Sequence, residues 1–329
     1  MCIRDRLCDF YITFNNPEAA IPLLQATLDC YPYSINHWNS LGKCYLSTND
    51  YEEAHEAIDF ALAIDDSNAE ALTLKAFCYQ QSGELQKSCD YYLRLAEQQE
   101  NKTRAYLALA KTYFEMQDYT SSIYYIEALL DNKDALSKYE LSELYGDIAL
   151  CHAALKHIGV GQASIRRSLE LNENDPDTLI VAGRFFLMEA KACNDETAKA
   201  ENQAKGELYF RQALNLIMED ERLDYLFTIG AACFDTQNFK LAAQYYEQIN
   251  REFPDNAPAT YFFLAYCYFY LEEAISCMHY IAKMKHELPD AYSNLGTSDS
   301  ILSDTRFNEL MRNLKDSVNN GKVDLDNFL

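Results

Sequence analysis

Apolar residues recur along this chain at intervals of three and four. Trp38, Leu41, Gly42 and Tyr45 fall at i, i+3, i+4 and i+7, a single stripe on one helix. The stretch from Trp38 to Asp65 reads as two short helices joined by a turn, with Ala54 and Ile58 on the stripe of the second. The alternating Val, Ile and Thr that mark strands are missing, and Gly (10) and Pro (7) are scarce, so the predicted class is all-α.

The unit returns at a step of about 34 residues. The Trp38 slot is filled by Leu72, Tyr106, Tyr145, Leu179, Leu226 and Tyr261, all large and apolar. Four residues later stand Gly42, Ala76, Ala110, Ala149, Gly183, Gly230 and Ala265, where something excludes a larger side chain. The next slot is mostly aromatic, from Tyr45, Tyr79 and Tyr113 to Tyr268. In the second helix the small slot holds Ala20, Ala54, Ser88, Ser122, Gly161, Gly206, Ala242 and Ala274. A bulky residue follows each: Leu24, Ile58, Tyr92, Ile126, Ile165, Phe210, Tyr246 and Met278. The two helices are therefore predicted to meet closely, with the bulky residue filling the space between them.

The run W-N-S-L-G-K-C-Y followed by Y-E-E-A and I-D-F-A resembles the tetratricopeptide repeat in its bacterial form, a helix-turn-helix unit. The resemblance covers about eight units within residues 1–293, beginning near Met1, Ile35, Ala69, Thr103, Ser142, Pro176, Leu223 and Pro258. It implies a right-handed α-α superhelical solenoid. The first unit is altered at residues 1–8, where MCIRDR reads as a joining scar, so the natural N-terminus is expected to be missing. Lys75 departs from the pattern by standing where Leu41 stands, and the closing Pro survives only as Pro32, Pro254 and Pro289. The sixth unit carries about eleven extra residues, Ala-, Lys- and Glu-rich, that should lengthen both helices. The eighth has a turn about three residues short. Residues 294–329 are expected to form a capping helix, with Phe307, Leu310, Met311 and Leu314 on one face, and a tail.

Composition narrows the partners. With 28 basic against 51 acidic residues the net charge is −23, which repels a phosphate backbone, so nucleic acid is disfavoured. No apolar run is long enough to predict membrane insertion. The 11 cysteines contain no C-x-x-C, and Cys44, Cys78, Cys151 and Cys267 share one slot, as small apolar packing residues would. A reducing, cytoplasmic compartment is expected. The six histidines form no H-E-x-x-H, and no phosphate-binding loop or nucleophile elbow occurs. Catalytic residues, metal and cofactor are accordingly predicted as none.

What remains is a surface. The resemblance implies that the first helices line a groove for an extended peptide or partner helix. Carried over, that face takes Asn39, Thr73, Leu107, Phe227 and Phe262 in one slot. Lys43, Phe77, Lys111, Arg184 and Tyr266 occupy the slot one turn on. The basic residues could instead pair locally with acids, and the aromatics could lie under the capping helix. A chaperone-tail clamp is disfavoured, because Asn39 and Lys43 stand in reversed order and the later units do not complete the set. The expected function is a non-catalytic scaffold or adaptor for another protein. An alternative is the repeat portion of a larger enzyme or envelope assembly factor, and self-association through exposed end repeats is a third reading.

Overall fold

Side chains recurring with helical period have one economical solution here: short helices that each hide a stripe against the next. The computed structural model describes residues 16–131 and 136–289, with Arg306 and Glu309 beyond them. The chain divides into two units, Met1–Ser137 and Lys138–Leu329.

In the first unit the described helices are α1 (Pro17–Leu28), α2 (Ile35–Ser47), α3 (Tyr51–Ile64), α4 (Ala69–Gln81), α5 (Leu85–Ala96), α6 (Lys102–Glu115) and α7 (Tyr119–Leu130). Each packs on its successor, and α2 also touches α4. The second unit holds α8 (Lys138–Ala154), α9 (Ile158–Leu171), α10 (Pro176–Ala192), α11 (Glu196–Leu214), α12 (Arg222–Asp235), α13 (Phe239–Glu252), α14 (Tyr261–Tyr270) and α15 (Ala274–Glu287). There α10 touches α8 and α12 besides its hairpin partner α11. Each unit is thus an all-α solenoid of stacked hairpins, in which α2, α4 and α6, then α8, α10, α12 and α14, are the first helices of their pairs. The leading helix of the first repeat and the capping helix expected after residue 293 lie outside the described residues, except for Arg306 and Glu309.

The small slots have a steric cause. A methyl group on Gly42 would lie 2.8 Å from Ile58 Cγ1, and one on Gly230 would lie 2.9 Å from a ring carbon of Tyr246. On Gly206 it would meet the Gly183 carbonyl oxygen at 2.9 Å, backbone against backbone. The bulky residue four positions after the second small slot therefore fills the notch that the first leaves, as Ile58, Phe210 and Tyr246 do, all buried.

The turn within each hairpin repeats as faithfully. Asn49, Gly83, Gln117, Lys156, Gln237 and Glu272 all have φ between 60° and 76°, one left-handed residue in each of six hairpins. The residue after each donates its N–H five positions back, as in Asp50 to the Tyr45 carbonyl at 2.9 Å and Asn238 to that of Cys233 at 2.9 Å. These are Schellman closures, which satisfy the last carbonyls of the first helix and set the direction of the second. The extended sixth repeat closes differently: α10 and α11 run to 17 and 19 residues. Asp195 caps α11 there by accepting from the Thr197 and Ala198 N–H groups.

The last hairpin differs from its expected register. Ala274 is only half-buried and Met278 is exposed, whereas Cys277 and Ile281 are buried. Cys277 follows Ala265 by the same interval as Ala54 follows Gly42, so the turn is of ordinary length. Cysteine in a slot otherwise held by Gly, Ala or Ser disguised the register. What is short is α14, at 10 residues, because Pro254 and Pro258 hold the preceding stretch Pro254–Thr260 in a 3-10 helix.

Candidate functional site

The first-helix face of the first unit is built from residues that reach across hairpins. Asn68 caps α4 by accepting from the Ala71 N–H at 3.0 Å. Its Oδ1 also accepts from Asn39 Nδ2 at 3.0 Å, and the same amide donates to Glu70 Oε2 at 3.0 Å. Lys43 closes the group with an ion pair to Glu70. Burial alone would raise the Glu70 carboxyl, but the hydrogen bonds from Lys43 and Asn39, with the Lys43 charge, hold it below its usual range. Asn39 is only 1% exposed, so it braces the face from beneath. A second brace runs from Gln80 Nε2 to both carboxylate oxygens of Glu115 at 2.8 Å.

Between these braces Phe77 is 41% exposed, Thr73 and Leu107 are half-buried, and the Thr73 hydroxyl donates back to the Ala69 carbonyl. Lys111 is exposed, and among the described residues no carboxylate lies within ion-pair distance of it. Lys43 is paired with Glu70, and in the second unit Arg184 approaches Asp235 at 3.5 Å.

In the second unit the face is aromatic. Phe262 stacks at a tilt on Tyr266, ring centres 4.6 Å apart, and Tyr266 meets Phe234 edge-on at 6.3 Å. Phe234 contacts Phe239 at 5.7 Å, and Phe239 lies flat on Tyr270 at 4.4 Å. Phe227 is half-buried against Tyr246. Phe262 remains 39% exposed and Tyr270 43%, so the ladder offers ring faces at its surface.

Two features escaped sequence reasoning. The first is Lys75, 3% exposed, whose ammonium lies 2.6 Å from Asp59 and donates to the His55 carbonyl. It also sits 5.6 Å over the Tyr79 ring. Burial, and then the Lys75 charge, lower the His55 pKa. The second is a crevice of about 510 Å³ lined by Trp38, Tyr45 and Phe60, flanked by α1 and α3, with a repeat-equivalent of about 600 Å³ between α9 and α11. Neither adjoins the expected groove residues.

Cys44, Cys78, Cys151 and Cys267 are buried in their shared slot, and burial pushes the Cys78 thiol up to about 11 and the Cys267 thiol to about 12. Such thiols pack and do not attack. Among the described residues no three His, Cys, Asp or Glu side chains converge on a metal-binding position, and no helix is long and apolar enough to cross a membrane.

The fold and its braced faces define a helical-hairpin repeat protein. Residues 39–103 match the tetratricopeptide repeat family. Among solved structures, a tetratricopeptide repeat protein from Parabacteroides merdae superposes with a TM-score of 0.60 at 12% identity, over 74% of this chain and 90% of that one. The C-terminal part of a repeat-containing protein from Cytophaga hutchinsonii gives 0.48 at 16% identity, over 78% and 92%. PilF of Pseudomonas aeruginosa gives 0.45 at 18% identity, over 67% and 92%. Among curated proteins, no sequence matches. The tetratricopeptide repeat is matched by sequence over residues 39–103, and beyond that segment the likeness is one of fold.

Proposed function

We propose that this protein is a non-catalytic adaptor that holds a segment of another protein against its first helices. The observation that carries the reading is the contrast on those helices between what is braced and what is left available. Asn39, Lys43, Gln80 and Arg184 are engaged with neighbouring repeats, whereas Lys111, Phe77 and Phe262 present charge and ring faces to solvent. Aromatic anchors with a sparse charged rim suit a peptide bound by apolar contact and oriented by a few charge-assisted bonds. Among the expected groove residues Asn39, Thr73, Leu107 and Phe227 support the surface and Lys43 and Arg184 are held by carboxylates, which leaves Phe77, Lys111, Phe262 and Tyr266 to touch the ligand. A reducing, cytoplasmic setting fits the buried thiols of Cys78, Cys233, Cys267 and Cys277. The test is recovery of partners on immobilised protein with Lys111→Glu and Phe262→Ala. Loss of the same partner from both variants, with unchanged melting, is expected. Undiminished recovery from both removes the proposed surface.

A further inference from the structure

One end of the aromatic ladder of the second unit carries a cation. The Arg306 guanidinium lies 5.3 Å from the centre of the Phe269 ring and 5.3 Å from that of Tyr270. Those rings are themselves 5.3 Å apart and steeply inclined, so the cation sits in a two-walled corner. One wall, Tyr270, is backed by Phe239 in a near-parallel stack, which fixes the face it offers. Arg306 comes from a part of the chain well removed in sequence from α14, within the run S-D-T-R-F-N-E-L-M-R-N-L-K-D.

We infer that this corner is a guanidinium-reading site, and that the chain's own Arg306 occupies it in place of an arginine from a partner peptide. Three features point the same way. Arginine's planar, weakly hydrated guanidinium is the side-chain cation more often found over aromatic faces. A chain of net charge −23 draws cationic segments toward it and repels acidic ones. The corner is also continuous, through Phe239, Phe234 and Tyr266, with the exposed ring of Phe262, so a peptide seated there extends onto the surface described above. The inference rests on that surface for the extension only; the corner and its occupant stand without it. Because the occupant is tethered, its effective concentration is high, and a partner must displace it.

The experiment uses the full chain and a fluorescent synthetic peptide of its own residues 301–317, followed by anisotropy. Arg306→Ala vacates the corner, and this variant is expected to bind the peptide at least about fivefold more tightly than the parent chain. Adding Tyr270→Ala to Arg306→Ala is expected to abolish that gain. A peptide carrying Ala in place of the residue-306 arginine should fail to compete. Melting curves of the variants establish that the hairpins remain folded. Equal affinity for the parent and Arg306→Ala chains overturns the inference, as does a gain that survives Tyr270→Ala. If the peptide effect is absent while partner recovery still depends on Lys111 and Phe262, this inference alone falls. If the effect is present while that recovery is insensitive, the inference stands and the broader surface does not.

Discussion

Asn39 Nδ2 donates to Glu70 Oε2 at 3.0 Å, a bond that joins one repeat's first helix to the next. Removing it by Asn39→Ala leaves Glu70 to Lys43 alone and takes away the second donor bond, to Asn68. The expected loss is about 1–3 kcal/mol in chemical denaturation, with partner recovery unchanged, because Asn39 is buried. Glu70 titrates below its usual 4.5 in the folded chain. Its contribution is therefore present above that value and is lost as pH falls through the lower folded pKa. The cost of Glu70→Gln should accordingly shrink with acidification across that window, as unfolding curves taken at several pH values would show.

Lys75 occupies a slot that holds Leu41, Leu109 and Leu264 in other repeats. Its ion pair with Asp59 has one partner buried and one exposed. Lys75→Leu should be neutral or stabilising by about 1 kcal/mol, since a packed apolar side chain often equals a buried pair, while Asp59→Ala strands the ammonium and destabilises. Because the Lys75 charge helps lower the His55 pKa, second to burial, the same Lys75→Leu change should move the His55 titration in NMR upward toward 6.5. The folded state favours neutral His55, so stability is lost as pH falls below 6.5, and less so in the variant.

Gly206 faces the Gly183 carbonyl oxygen, which cannot rotate away as a side chain can. Gly206→Ala should cost about 1–3 kcal/mol, seen as a lower denaturation midpoint. Gly159, with open space around its α-carbon and an exposed position on α9, should accept Ala without loss.

Gln237 holds φ 61° where the third described repeat uses Gly83 at 76°. A non-glycine residue pays a conformational penalty there. Gln237→Gly should therefore stabilise by about 0.5–1 kcal/mol in thermal or chemical unfolding. The same change at Asn49 should gain less, because asparagine tolerates the left-handed region.

Much of this was legible in the sequence because sterics write themselves into residue size. Gly42 is small because Ile58 fills the notch beside it, and the spacing between such slots gave the hairpins their boundaries. The register failed at Ala274 because the true slot holds Cys277, a residue of intermediate size. The extent of the first-helix face could be laid out by position, but its bracing could not. Whether Lys43 meets Glu70, or Lys111 meets solvent, depends on how far one helix is translated past its neighbour, which residue spacing does not encode. Lys75 read as a break in the pattern and is a buried cation instead, stabilised by partners contributed from α3. The Arg306 contact falls beyond the last repeat, where the periodicity that aligns the hairpins has ended.

The central claim is that a partner lies along the first helices and not along the second. A photo-crosslinking amino acid at Phe77 or at Tyr266 reports on the first; the same group at Phe60 or Tyr124, both well exposed on second helices, reports on the other flank. Crosslinks to one shared partner from Phe77 and Tyr266, with none from Phe60 and Tyr124, are predicted. Crosslinks arising from Phe60 and Tyr124 alone, or equally from all four positions, contradict the account.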